Sequence, residues 1–445
     1  MNAQQPKRKE LLKSFLEKFG ITTLNPMQIE ARKAISSGND VVLLSPTGSG
    51  KTLAFLLPLI ERLEQNVEGI QAIVLVPSRE LAMQIEQVAR QLGSGFKINA
   101  VYGGRSGQMD KADLKTKPAL LIGTPGRIAD RFRRDEMDLT GVKTLVLDEF
   151  DKSLEVGFER EMSEIVRSLP SVNQRVLTSA TDAVAIPEFL GIEEPISIDY
   201  LNQHRLQLTI KTIAAEAGER LDVLAELLGK LNGQPGIIFC NFKESLFDAS
   251  DFLLDQKIEH ECYYGGLEQI DRERALVKFR NGTCQLLLAT DLAARGLDIP
   301  EIKFIIHLEL PYHPNEFTHR NGRTARMNAK GAAYILHKKS KPLPEFIQAV
   351  EPQKVELKEV ASQHVDVQKW TTIHITGGRK DKISKGDIAG LFFKKGGLSK
   401  QQLGVIELQQ TYAYVAVERS VAHQTVDLTN NQRLKKKKVR ITIVR

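Results

Sequence analysis

The sequence predicts an α/β fold with two parallel-sheet lobes in tandem, followed by a small α+β domain. Three observations lead there: short, continuous apolar runs, helix-compatible stretches between them, and a restart of that alternation after residue 205. A length of 445 residues is too great for one core and suits about three domains of ~150 residues. Hydrophobic content of 42% and charged content of 26% are those of a globular chain and exclude a disordered one.

In the first lobe the expected strands are VVLLS (41–45), AIVLV (72–76), ALLIG (119–123), TLVLD (144–148) and RVLTS (175–179). Each is apolar throughout, as strands covered on both faces require. RELAMQIEQVARQL (79–92) is a helix between two of them, so the connections are right-handed crossovers in a mostly parallel sheet. The rhythm returns with GIIFC (236–240), the helix KESLFDASDFLL (243–254), QLLLAT (285–290) and KFIIHL (303–308). The expected boundaries are 1–205 for the first lobe, 206–350 for the second, 351–370 for a polar linker and 371–445 for the last domain. A hinge is expected at 202–209.

The net charge of +7 is unevenly spread. Residues 371–445 hold 15 Lys and Arg against 5 Asp and Glu, a net of +10, and the first 370 residues net −3. That shift is expected of an appended nucleic-acid module. The apolar stretch LAFLLPLI (53–60) is too short to span a bilayer, so no membrane role is expected. No secretory signal is visible at the start, which makes the chain cytoplasmic by expectation. Three cysteines, Cys240, Cys262 and Cys284, form no C-x-x-C pair and read as reduced filler.

SPTGSGKT (45–52) ends an expected strand and opens a helix, the setting in which backbone N–H groups cradle phosphates. Ser45, Pro46, Thr47, Gly48, Ser49 and Gly50 form the loop, Lys51 reaches the β- and γ-phosphates, and Thr52 ligates Mg²⁺. LVLDEFD drives a second strand into Asp148 and Glu149, which places acids beside that loop. Asp148 then holds the Mg²⁺ water shell and Glu149 positions or deprotonates the attacking water. In HRNGRTAR (319–326), Arg323 and Arg326 are expected to share a helix face and to neutralise transition-state charge.

With these motifs in order, the chain resembles the DEAD-box family of RNA helicases from about Phe19 to Gly331. Further elements carry the likeness: PSRELAMQ (77–84), Gly103-Gly104, TPGR (124–127), DEFD (148–151), SAT (179–181), IIFCN (237–241), Gln269 with Arg272, and ATDLAARGLD (289–298). The resemblance implies two RecA-like lobes that remodel RNA with ATP. It implies that Gln28 and Asp298 join the phosphate loop in binding ATP, and that Asp151, Ser179, Thr181 and His319 couple hydrolysis to lobe movement. Arg79, Gly104, Thr124, Arg127, Arg272 and Thr290 would hold the RNA backbone. Such contacts position a strand without reading bases. Closure around ATP would bend the bound strand, and since each stacked step is worth ~1.4 kcal/mol in DNA terms, only short duplexes should open.

This chain departs from the family at several positions. Phe150 replaces alanine, so altered packing is expected with chemistry kept. Ile21, Leu24 and Asn25 stand where the adenine element has an aromatic and a Pro-Thr pair, and Leu11 where it has phenylalanine. Asn321 and Ala325 replace isoleucine and glycine.

The final segment reads strand, helix, strand, strand, the order of a small RRM-like fold, in IHITGG, GRKDKISKGDIAGLF, GVIELQQTYAYVAV and KKKKVRITIV. Tyr412 and Tyr414 face one way on a strand, as a base-stacking platform or as a packing surface for helices. His374 is expected at the surface. GGRKDKISKGDIAG resembles the RNA-binding domain of DbpA-type helicases. That likeness implies tethering to structured ribosomal RNA, hence large-subunit assembly, with Arg379, Lys380 and Lys382 as contacts. Three functions fit these residues: an RNA-stimulated ATPase that unwinds RNA, an ATP-gated RNA clamp uncoupled by Phe150, and a DNA translocase. The first is adopted.

Overall fold

The computed structural model describes residues 16–444 apart from 20, 105–106, 135–136, 183–184, 202–207, 217, 232, 292–301, 325–329 and 360–368, and leaves aside the side chains of 109, 112 and 359. The chain forms two compact units divided between Leu206 and Gln207.

The first unit is built on seven strands: β1 (Val41–Leu44), β2 (Ala72–Leu75), β3 (Ile98–Val101), β4 (Leu120–Gly123), β5 (Thr144–Leu147), β6 (Gln174–Ser179) and β7 (Ile196–Asp199). They lie in the order β3-β4-β2-β5-β6-β1-β7, and every pairing is parallel. The apolar runs make this possible because both faces are covered. Along β1, Val41 and Leu43 enter one core with Phe55 and Leu59 of the following helix, while Val42 enters the opposite core with Leu145 and Leu147. The short polar-interrupted strand INAV, β3, carries too weak an apolar signal to be read from sequence.

The second unit contains another seven-stranded sheet: β8 (Leu208–Ala215), β9 (Gly236–Cys240), β10 (Glu261–Tyr263), β11 (Leu286–Thr290), β12 (Phe304–His307), β13 (Gly331–Lys338) and β14 (Gln353–Lys354). Its order, β10-β11-β9-β12-β13-β8-β14, repeats that of the first strand for strand, again with parallel pairing throughout. The segment expected as a linker therefore supplies an edge strand, since β14 pairs with β8 through Gln353 and Lys354. Of the expected hinge, Leu208 and Thr209 belong to β8, and 202–207 lie outside the described residues.

The same unit ends in a four-stranded antiparallel sheet of β15 (Trp370–Ile375), β16 (Leu403–Leu408), β17 (Ala413–Glu418) and β20 (Ile441–Ile443), ordered β16-β17-β15-β20. Helices Lys385–Lys394 and Ala422–Thr429 cover one face, where Ile373, Ile388, Phe392, Val415 and Val417 form the core. A two-stranded ribbon, β18 (Arg433–Leu434) with β19 (Lys437–Lys438), precedes the last strand. The second helix is not among the elements expected from sequence, because AHQTVDLT has few large apolar residues. Among the described residues no helix is long and apolar enough to cross a membrane.

Candidate functional site

In the first unit, the candidate residues gather at the C-terminal rim of the parallel sheet, where open α/β sheets hold their ligands. The phosphate loop follows β1 and leads into the helix Lys51–Arg62. Gly48 and Gly50 take φ of 83° and 91°, which only glycine adopts without strain. A Cβ at Gly50 would lie 2.4 Å from Gln28 Nε2, so the loop closes directly on that side chain. Lys51 is buried and donates from Nζ to the carbonyls of Ser45 and of Pro46, the latter at 3.0 Å. Its ammonium thus lies inside the loop, where a phosphate would compete for it.

Gln28 and Asn25 support this loop from the helix Pro26–Ser36. Asn25 Oδ1 accepts from Gln28 N at 2.8 Å and Gln28 Oε1 accepts from Asn25 N at 3.0 Å, a reciprocal cap of the helix. Their amide groups then donate to the loop, Gln28 Nε2 to Gly50 O at 3.3 Å and Asn25 Nδ2 to Ser49 O at 3.0 Å. Asn25, one of the departures from the family pattern, is therefore a loop-holding residue. The signal was in the sequence, as N-P-M-Q with Gln three positions after Asn is a helix-start signature.

Asp148 and Glu149 follow β5, two strands from β1 in the sheet. Asp148 is buried, accepts from Thr178 Oγ1, and has its pKa raised to about 6 by burial and then by the charge of Glu149. Glu149 sits at φ 50°, ψ 49°, a left-handed conformation that costs a non-glycine residue roughly 1 kcal/mol or more and clusters at functional sites. Its amide donates to Thr178 Oγ1 at 3.2 Å, so one threonine on β6 fixes both acids. Phe150 turns away from this rim into the core with Met162 and Ile165 and is 2% exposed.

Asp151 and the SAT segment connect the acids to β6. Thr181 Oγ1 donates to Asp151 Oδ2 at 3.4 Å, Ser179 Oγ donates to Thr181 O at 2.6 Å, and Thr181 N donates back to Ser179 Oγ at 3.0 Å. Farther along the same rim, after β2, β3 and β4, lie the backbone-contact candidates. Gly104 takes φ of 88°, and a Cβ there would meet Arg79 Nη1 at 2.5 Å, so the guanidinium lies flat on the glycine pair. Thr124 caps the turn into Arg127, whose Nε donates to buried Asp110 at 2.6 Å.

In the second unit, Thr290 ends β11, and Arg272 lies over the Tyr263 ring with its carbon 5.0 Å from the centroid. The helix Pro314–Asn321 carries His319 and Arg320 and stops at Gly322. Arg323 consequently lies in the turn beyond the helix, 3% exposed, with Nε donating to His319 O at 3.3 Å. Arg323 is therefore not on the expected helix, because Gly322 ends it before that residue. Arg326 and Asp298 lie outside the described residues.

Sequence reasoning assigned no role to Arg320, yet it is buried and bonded on several sides. It is 1% exposed, donates twice to Asp291, at 2.6 and 2.5 Å, and also to Asn241 Oδ1 at 2.6 Å and Glu309 O at 2.8 Å. Beside it Asn321, the departure from isoleucine, bonds buried His307 at 3.0 Å. A polar residue there makes sense only with that histidine, which lies at the end of β12.

In the last sheet, Gly378 brings a basic turn onto the β16–β17 connection. A Cβ at Gly378 would lie 2.4 Å from Gln410 O, and the amides of Arg379 and Lys380 donate to Gln409 O and Gln410 O at 3.0 and 2.9 Å. Arg379, Lys380 and Lys382 are exposed on it. The lysine run is partly committed, because Lys437 pairs with Asp381 at 2.8 Å and Lys435 with Asp387 at 2.9 Å. Tyr412, Tyr414 and His374 form one aromatic group with ring centroids 5.3 to 5.7 Å apart. His374 is half-buried there instead of at the surface, and its pKa is lowered by burial and by Arg274.

Comparison with known proteins agrees with this division. Residues 25–187 match the DEAD/DEAH box helicase family, 219–328 the helicase conserved C-terminal domain, and 372–443 the DbpA RNA binding domain. The chain is 30% identical to the ATP-dependent RNA helicase DbpA of Escherichia coli, over 97% of this chain and 96% of that one. It is 29% identical to DbpA of Bacillus subtilis, with 96% of both covered. Among solved structures, S. cerevisiae Dbp5 bound to RNA and ADP BeF3 superposes with a TM-score of 0.69 at 25% identity, over 79% of this chain and 94% of that one. Carrying a phosphate loop, DEFD acids and a C-terminal RNA-binding domain, the chain belongs to the DEAD-box ATP-dependent RNA helicases of the DbpA type.

Proposed function

We propose that this helicase acts on structured ribosomal RNA during assembly of the large ribosomal subunit, tethered there by its C-terminal module. The observation that carries this reading is the exposed turn Arg379, Lys380 and Lys382, pinned by Gly378 on a module of the DbpA type. Three cations held on a fixed backbone suit phosphate oxygens on a folded RNA.

In the proposed cycle the phosphate loop and Lys51 take the triphosphate, and Gln28 lies at the loop's edge. Glu149 orients the attacking water, its carboxylate set by the left-handed backbone. Thr52 and Asp148 would hold Mg²⁺, which supplies charge neutralisation at the phosphates. The donor set fits: both are hard oxygen ligands, and the buried Asp148 carboxylate gains from a cation. Arg79, Gly104, Thr124 and Arg127 on the first lobe, with Arg272 and Thr290 on the second, hold the RNA backbone. Asp151, Ser179 and Thr181 relay the state of the acids through their hydrogen bonds, and His319 and Arg323 serve the phosphates on closure.

The test is ATPase rate against large-subunit ribosomal RNA and against poly(A), for the natural protein and for a variant with Arg379, Lys380 and Lys382 changed to Glu. Ribosomal RNA should stimulate more than poly(A), and the variant should lose that excess while keeping the poly(A) rate. Equal stimulation by the two RNAs would refute the ribosomal target.

A further inference from the structure

We propose that the Thr178 hydroxyl is the positioning group for the two acids of the first lobe, that it aims the Glu149 carboxylate through the Glu149 backbone, and that hydrolysis slows without it. This deepens the cycle proposed above and rests on Glu149 orienting the attacking water there.

Thr178 stands where one side chain can reach both acids. Strand β6 runs between β1, which leads into the phosphate loop, and β5, which ends at the acids. The register of β5 on β6 pairs Val146 with Val176 and Leu147 with Leu177, so the next step brings Asp148 level with Thr178. On its other side Thr178 is paired with Leu43 of β1, and just beyond, Ser45 N donates to Ser179 O at 3.0 Å. Val146 and Val176 share a core with Phe55 and Leu59 of the phosphate-loop helix. Two residues farther along, Asp148 and Thr178 therefore face that same side.

The bonds of the hydroxyl have a fixed direction. The Glu149 amide can only donate, and it reaches Thr178 Oγ1 at 3.2 Å. The single hydroxyl proton is left for the Asp148 carboxylate, which accepts it at Oδ1. Thr178 is 0% exposed, so bulk water does not replace either bond.

Glu149 depends on this anchor more than its neighbour does. Asp148 has a second tie, its own amide donating to Leu75 O at 2.9 Å. Glu149 opens the helix Phe150–Glu155 in a left-handed conformation with no side-chain cap, and its N–H would be orphaned in a buried corner without the hydroxyl. Among the described residues no hydrogen bond holds the Glu149 carboxylate itself, so its direction is set by that backbone. Strand propensity does not account for a hydroxyl at this position. Valine suits a buried strand as well as threonine does, and the neighbouring positions use it at Val42, Val146 and Val176.

Thr178→Val, close in shape but without the hydroxyl, and Thr178→Ser, which keeps it, isolate the bond in the full-length protein. Steady-state ATPase with and without poly(A) should show kcat roughly tenfold lower in Thr178→Val, with KM for ATP within about twofold and the ratio of RNA-stimulated to basal rate preserved. Thr178→Ser should stay within about threefold of the natural kcat. The serine variant decides alone if the valine variant does not fold, because a packing role would cost it the missing methyl and a hydroxyl role would not. Natural kcat in Thr178→Val, equal losses in the two variants, a loss confined to KM, or a lost RNA response at natural basal rate would each overturn the proposal. Glu149→Gln, assayed beside them, keeps the two readings apart. Hydrolysis that survives it sinks the assignment of the acids, whereas natural turnover in Thr178→Val beside an inactive Glu149→Gln sinks only the role of the hydroxyl.

Discussion

The two helicase lobes repeat one strand order, yet the acids at their rims are in opposite circumstances. In the first lobe Asp148 is buried beside Glu149, its pKa raised to about 6, with a threonine hydroxyl as its hydrogen-bond donor from β6. In the second, Asp291 is clamped by both arms of Arg320, and Glu309 accepts from the Asn241 amide at 2.8 Å and from Ser245 at 3.0 Å. Among the described residues, Asp148 stays costly as an anion even with the Lys51 charge nearby, whereas Asp291 and Glu309 are bonded within their own lobe. The lesson is that topology supplied the positions twice and side chains decided what each rim is for. A carboxylate held in an unfavourable state marks a place for a ligand, while a fully bonded one marks scaffold.

The contrast can be broken most sharply by activity. Lys51→Ala should lower RNA-stimulated ATP hydrolysis by roughly 10²–10³-fold, as loss of one preorganised charge at a reacting centre does. Glu309→Gln, at the matching rim of the other lobe, should leave turnover near that of the natural enzyme, and steady-state ATPase assays compare the two.

Stability should show the reverse order. Arg320→Met strands the Asp291 charge and should destabilise the second unit by about 3–5 kcal/mol, read in urea melts. Trp370 is the sole tryptophan and lies in that unit against Gly282, so its fluorescence reports the loss.

Acid sharpens the same comparison. Burial, then the Arg320 charge, lower the pKa of His307 from 6.5 to about 3, so the folded chain keeps it neutral. Between these values the unfolded chain binds more protons, and stability falls as pH drops below about 6.5, continuing towards 3. His307→Gln should flatten that slope in urea melts between pH 7 and 4, while leaving the plateau above 6.5 independent of pH. The smallest effect is expected at Asn25→Ala, which removes a helix cap worth about 1 kcal/mol and loosens Ser49. It should raise KM for ATP with little change in kcat.

Much of this architecture was legible because fully buried parallel strands leave continuous apolar runs. VVLL, AIVL, LLIG, TLVL and GIIFC were each placed to within a residue or so of the observed strand. β3 and β14 were not, since INAV carries a buried polar Asn99 and Gln353–Lys354 is an exposed edge. Around the candidate site the motifs are recognisable runs and Asn25 shows in its helix-start signature, whereas the supports Thr178 and Arg320 carry no such local signal. Thr178 is one residue before a recognised motif and looks like an ordinary strand threonine. Arg320 sits within a recognised motif, but its bonds to Asp291 and Asn241 span 29 and 79 residues. Arg323 is off the expected helix because the spacing rule ignored Gly322. Tyr412 and Tyr414 lie together, though Tyr412 precedes the strand Ala413–Glu418 that was expected to carry both, and nothing local could reveal that Glu273 and Arg274 of the helix Gln269–Arg280 lie against them.

RNA-stimulated ATP hydrolysis at the rim of the first lobe is the step on which everything else depends. Its most direct test is the steady-state ATPase rate with and without RNA, in the natural protein and in Glu149→Gln. Strong RNA stimulation is expected in the natural protein, and the substitution should eliminate it. Hydrolysis that is equal with and without RNA, or that survives in Glu149→Gln, would contradict it.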